Sequence, residues 1–265
     1  MSDAQTEAYR ASTGTVAAAA ATLAAARLEQ IVTDPRDWLA FFPAYIEDIM
    51  PALMAAGART AALAGTDYRA TRRAEGIRGD FAFRPVLPEP AALTASLFAT
   101  GGQALQGIEK HDMAPGVALK KARIDIQGSV VRHTMNAARN STIANAARDR
   151  EAIGALYVTK GDEKVCYWCA MLASRGPVFG DDSYDDADKL FTGTGTAKSH
   201  DHCRCVLKTV YREQSPLLDE YHRLEAEWRD VNWAPNWREL DPSVAHIRNS
   251  GKAALLAWRR HWEKR

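Results

Sequence analysis

A chain of 265 residues that is 46% hydrophobic and 25% charged, with a net charge of +1, has the makeup of an ordinary globular protein of one or two domains. It is long enough to bury about 70–75% of its unfolded surface, and its near-neutral balance excludes a dedicated nucleic-acid binder, whose domain is strongly basic. Residues 1–10 carry Asp3 and Glu7 and lack the basic and apolar stretches of a secretory signal, so synthesis in the cytoplasm is expected.

The first predicted element is a long helix over Ser2–Thr33, carried by alanine's helix propensity. Its apolar run, Val16–Ala26, is only weakly hydrophobic and is followed at once by Arg27 and Glu29, which excludes a membrane span there. Asp34 then stands as N-cap ahead of Pro35 in the first turn of a second helix. Along that helix Trp38, Phe41, Phe42, Tyr45, Ile46, Ile49 and Leu53 recur every three or four residues, an aromatic stripe that needs a partner helix. Pro43 and Pro51 are expected to bend it. Between Arg72 and Pro90 the residues Gly76, Gly79, Pro85 and Pro88 break every period, which marks a hinge or internal boundary. Helical patterning resumes at Glu89 with Leu93, Leu97, Leu105 and Ile108. Pro115-Gly116 interrupts it, and a segment over Val117–Ile153 follows, of which Arg132–Arg150 reads as a polar helix.

From Gly154 the pattern shortens to a small mixed module. Three strands are expected at Ala155–Val158, Pro177–Phe179 and Cys205–Tyr211, with a turn at Gly161-Asp162 and a short apolar helix at Ala170–Leu172. All four cysteines of the chain lie in it, as Cys166-Tyr167-Trp168-Cys169 and His200-Asp201-His202-Cys203-Arg204-Cys205. A C-x-x-C turn brings two thiolates together, and a second half with His and Cys completes the tetrahedron that zinc prefers. In a reducing cytoplasm cysteines so clustered are more often metal ligands than disulfides. Thiolate outranks imidazole at a closed structural site, so Cys166, Cys169 and Cys205 lead, with His200 or Cys203 as the fourth ligand and His202 left exposed. The zinc would be structural, supplying folding free energy to a module with little core of its own. Arg204, between two ligands, suits a surface salt bridge or a clamp on a partner's carboxylate or phosphate. The acidic run Asp181–Asp188 lacks the spacing of a calcium loop and reads as solvated. Toward the end Trp228, Trp233, Trp237, Trp258 and Trp262 stand among arginines, and Arg248–Arg265 forms a basic arm. That mixture suits core packing, a docking surface for a partner protein, or non-specific contact with DNA.

A polar helix, a short strand, C-x-x-C, the strand Gly176-Pro177-Val178-Phe179 and then H-x-x-C-R-C resemble the phage Mu protein F-like (MuF) domain of minor head proteins, over roughly Val117–Tyr211. The family's first cysteine pair falls on Cys166 and Cys169, its His on His200, and its C-R-C on Cys203, Arg204 and Cys205; the acidic insert and Asp201, where the family has proline, depart from it. The resemblance implies a non-enzymatic minor capsid protein of a tailed phage, acting in head morphogenesis. Its partners would be the portal, capsid or scaffold proteins, with no membrane, and it would form a multimer on the virion. It would reside in the host cytoplasm during assembly and then in the capsid interior or at the portal vertex. Two other classes compete. A zinc nuclease of the His-Asn-His type would use His202 beside a cysteine-held zinc, but the second C-x-x-C and the downstream Asn and His are missing. A head-maturation protease relative is the other, without a Gly-x-Ser-x-Gly elbow; a deaminase lacks its His-x-Glu. The expected fold is mainly α, with long helices in the N-terminal two-thirds, a small zinc-stapled α+β module and a C-terminal helical arm. Residues 1–88, 89–211 and 212–265 are the expected parts.

Overall fold

The computed structural model describes residues 3–159, 165–177, 203–232 and 250–264, and the fold is mainly α with a small α+β module. Helix α1 spans Asp3–Ile31. Its buried face is mostly alanine, with Ala17, Ala21, Ala24 and Leu28 against the neighbouring helices. Side chains that small let backbones approach closely, and the Tyr45 hydroxyl reaches across to donate to the Ala24 carbonyl at 2.9 Å. Asp34 accepts the Arg36 N–H at 2.9 Å and caps a 3-10 turn, Pro35–Asp37, that runs into α2, Trp38–Ala74. The expected bends do not break α2. Pro43 and Pro51 both lie on its exposed face, where water can take the carbonyls they leave unpaired. By length and composition α2 could cross a bilayer, but Glu47, Asp48, Arg59 and Arg69 punctuate its outer side and its aromatic stripe is buried, the pattern of a bundle's core helix.

The glycine- and proline-rich stretch after α2 runs as an extended strap over α2 and α5 (Pro115–Ala146). Its backbone is tied down by side chains of the polar helix: the Arg84 N–H donates to Asn145 Oδ1 at 2.9 Å, Asn145 Nδ2 donates to the Arg84 carbonyl at 2.7 Å, and the Val86 N–H donates to Ser141 Oγ at 2.8 Å. Pro88 sits so close over α2 that a Cβ on Gly57 would meet its ring at 2.2 Å. Ser141 and Asn145 of α5 therefore face inward, onto backbone. Helix α3, Pro90–Leu97, passes through a π turn at Phe98–Gly102 into α4, Gln103–His111. Helix α5 stops at Ala146, short of the expected Arg150, because residues 147–152 turn to bring Ile153 N–H onto the Val210 carbonyl at 2.8 Å.

Strands β1, Gly154–Val158, and β2, Val206–Val210, pair antiparallel with Gly154 opposite Val210. Among the described residues, helices α6, Tyr167–Ala173, α7, Leu217–Asn232, and α8, Ser250–Glu263, join them in the module. Val178 and Phe179 of the expected strand Pro177–Phe179, the Gly161-Asp162 turn and the acidic run lie outside the described residues. Every residue of β2 is buried. Val206 joins the helical core while Leu207 joins the module's, and α5 supplies both, Ile126, Val130 and Met135 to the first and Ile143 and Ala146 to the second.

Between the two cores runs a charged seam. Lys208, with a fully buried side chain, places Nζ 2.5 and 2.6 Å from the two carboxylate oxygens of Asp67 on α2. Nearby, Arg72 pairs with Asp149, whose Oδ2 also accepts from Tyr68 at 2.9 Å and Tyr211 at 3.2 Å. Burial pushes the Asp149 carboxyl up, but the hydrogen bonds from Arg72, Tyr68 and the Glu151 N–H outweigh it and hold that group below the usual carboxylate range.

Candidate metal centre

Three of the four cysteines converge at the foot of α5. The thiols of Cys169, Cys203 and Cys205 all lie within 4.8 Å of one another, and the Cys169 and Cys203 sulfurs are 3.4 Å apart. They come from two elements: Cys169 from the first turn of α6, Cys203 and Cys205 from the turn entering β2. Cys166 is the N-cap of α6, and its Sγ accepts the Cys169 N–H at 3.2 Å. This is the capping role that Ser or Asp usually fills, and it sets Cys166, half-buried, beside the cluster. His200 and His202 lie outside the described residues. Arg204 points to solvent between its two buried cysteine neighbours.

The donor set fits a thiophilic cation. Exposure of the three clustered cysteines is 5% or less, and the thiols are not joined by a disulfide. Cys169 is crowded by Cys166, Cys203 and Cys205, and together with burial they hold its thiol far above the usual range. Cys205 is drawn down by Cys169 but pushed further up by Cys203 and by burial. Thiols packed this tightly share protons and repel as thiolates; a bound divalent ion removes that conflict by taking the negative charge itself. Three buried cysteines in this arrangement could hold a metal ion.

One side chain that the sequence did not single out governs the site. Arg139 of α5 is 2% exposed and donates to the Cys205 carbonyl through Nε at 3.0 Å and Nη2 at 2.8 Å, and to the Cys203 carbonyl at 3.0 Å. Nη2 also lies 3.2 Å from the Cys203 sulfur, and Nη1 donates to Asn136 at 2.8 Å. The fork fixes the Cys203-Arg204-Cys205 turn and puts a permanent positive charge against the sulfurs. In the sequence Arg139 is one arginine among several in the polar helix expected over Arg132–Arg150, with nothing to mark it as buried.

A model of the VG15 protein family matches residues 1–230. The chain belongs to the VG15 family. VG15 is a viral, phage-associated family, and its match takes in all four cysteines, Arg139 and both strands before stopping inside α7. Helix α8 lies beyond the VG15 segment. No curated protein and no solved structure matches the chain.

Proposed function

We propose that this VG15 protein is a non-enzymatic structural component of a tailed phage, a minor capsid protein of the MuF kind that acts in head morphogenesis and associates with the portal or capsid interior. The observation that carries the reading is the buried cysteine cluster at the end of a long-helix bundle, inside a phage family match of 230 residues. A site whose ligands are nearly inaccessible suits a closed structural ion better than a hydrolytic one, which keeps a coordination position open to water. Zinc fits the thiol set. Cys169, Cys203 and Cys205 would hold it, with Cys166 or His200 as the fourth ligand, and the ion would lock α6 to the β2 turn.

The test is native mass spectrometry of freshly purified protein beside its denatured, non-reduced mass. One bound zinc and four free thiols are expected, with zinc lost in Cys205→Ser. A metal-free native mass, or full zinc with a native fold in Cys205→Ser, would overturn the metal assignment. Co-expression with the portal protein of the same genome should yield a complex of defined stoichiometry; absence of the chain from purified particles would overturn the structural role.

A further inference from the structure

Helix α8 lies beyond the VG15 segment yet enters the core of the module. Trp258 is 0% exposed, 5.2 Å in ring centroids from Trp228 of α7 on one side and 5.2 Å from Trp262 on the other. His261 Nε2 and Glu227 Oε1 are 2.7 Å apart, which ties α8 to α7 a second time. The polar ends of the two tryptophans converge on one place. The Trp258 indole N–H donates to the Tyr167 carbonyl at 2.7 Å, and the Trp262 indole N–H donates to the Val165 carbonyl. Those carbonyls belong to the residues on either side of Cys166. The guanidinium of Arg259 covers the Tyr167 ring at 5.2 Å.

Val165 precedes the N-cap of α6, so its carbonyl lies outside the helix's own ladder. Trp262 supplies the donor. Trp262 holds the peptide plane before Cys166, the Ala170 N–H holds the one after it by donating to the Cys166 carbonyl at 3.0 Å, and Trp258 holds the next, so the backbone of Cys166 has little freedom left and its sulfur is kept beside Cys169. Metal at the cluster would restrain the same turn from the opposite side. We infer that α8 is a latch on the cysteine turn, and that latch docking and metal binding are coupled so that each strengthens the other. The inference rests on the metal reading given under Proposed function. By reciprocity the latch raises metal affinity by the same factor by which metal raises latch closure. Loss of metal would favour release of a helix that bears Trp258 and Trp262 beside Arg259, Arg260 and Lys264, so its tryptophans would be displayed more often in the metal-free protein.

The experiment uses the full chain and two variants, Trp262→Phe and Trp258→Phe/Trp262→Phe, which keep apolar rings and remove the indole donors. Zinc transfer to a chromophoric chelator gives the affinity, and hydrogen exchange read by mass spectrometry follows α8 and the β1–β2 amides. Two indole bonds lost should weaken zinc binding about tenfold, equivalent to about 1.4 kcal/mol, with Trp262→Phe intermediate and β1–β2 protection retained. Chelation of the parent should speed exchange across α8. Zinc affinity within twofold of the parent in both variants, or α8 exchange unmoved by chelation, would overturn the latch while leaving the metal reading intact. If chelation loosens β1–β2 as well, the affinity of Trp262→Phe alone decides. A parent that takes up no zinc overturns the latch together with the metal reading on which it rests.

Discussion

Lys208→Met is the sharpest test of how the two cores are joined. Lys208 has no exposed side-chain surface and Asp67 only 9%. Burial lowers the affinity of Lys208 for its proton and raises that of Asp67, in each case more than their mutual attraction restores. The pair thus sits where burial disfavours both charges, and removing one member strands the other without its partner. Methionine replaces the aliphatic stem and leaves Asp67 with the Gln5 amide at 3.4 Å. Removing one member of a buried pair costs about 3–5 kcal/mol, a large share of the roughly 5–15 kcal/mol that holds a domain together. At roughly 2–4 °C per kcal/mol for a chain of this size the melting point should fall by about 6–20 °C. The loss should shrink on acidification, because protonating Asp67 removes the stranded charge. The double variant Lys208→Met/Asp67→Leu should return to within about 1.5 kcal/mol of the parent, since apolar replacements of similar volume tolerate this setting. Urea unfolding followed by circular dichroism measures all three. A cost below about 1 kcal/mol for Lys208→Met, or a double variant as weak as the two single losses summed, would refute the reasoning.

Arg139→Gln should lower zinc affinity about 10–100-fold, with Arg139→Lys recovering only part because it keeps the charge and loses the fork; zinc transfer to a chelator reads both. His133 is held near pKa 4 by burial and by the neighbouring Arg132. Its folded pKa lies below the unfolded value, so stability is full above about pH 6.5 and is lost as pH falls toward 4, by about 1.4 kcal/mol per unit. His133→Gln should flatten that acid limb, measured as urea midpoints at about pH 7 and pH 4.5. At the π turn, a Cβ on Gly101 would stand 2.5 Å from Ile126 and 3.1 Å from Phe42. Gly101→Ala should cost about 1–3 kcal/mol, and the same change should cost less in an Ile126→Ala background, where both clashing atoms are gone; thermal unfolding checks both.

The long helices were legible because alanine content and the Trp38–Leu53 stripe are local signals that the packing happens to honour. The cysteine motifs were legible because close spacing in sequence keeps thiols close in space, and Cys169, Cys203 and Cys205 do meet, with Cys166 capping α6 and not counted in that group. What stayed hidden depends on contacts distant in sequence. Lys208 alternates with apolar neighbours as an outward residue would, yet β2 is covered on both faces and the lysine is turned toward Asp67, 141 residues away. Ser141 and Asn145 look like surface polar residues until the strap is laid across them. The strap's glycines and prolines suggested a hinge, since composition records only that regular structure is broken; the side chains that pin the backbone lie 55 and 61 residues further along. Trp258 and Trp262 left docking and core packing open, and the structure buries Trp258 within the chain's own module.

Helix α5 is 32 residues long, about 48 Å from end to end, and its side chains are shared between both cores. A rod common to two compartments makes them thermodynamic neighbours however far apart their centres lie. An ion gripped at its lower end would stabilise the folded rod by mass action, so residues around Ile126 and Phe42 would feel the ion's concentration from a distance. Held this way, a single bound ion would raise the melting point of a bundle it never contacts.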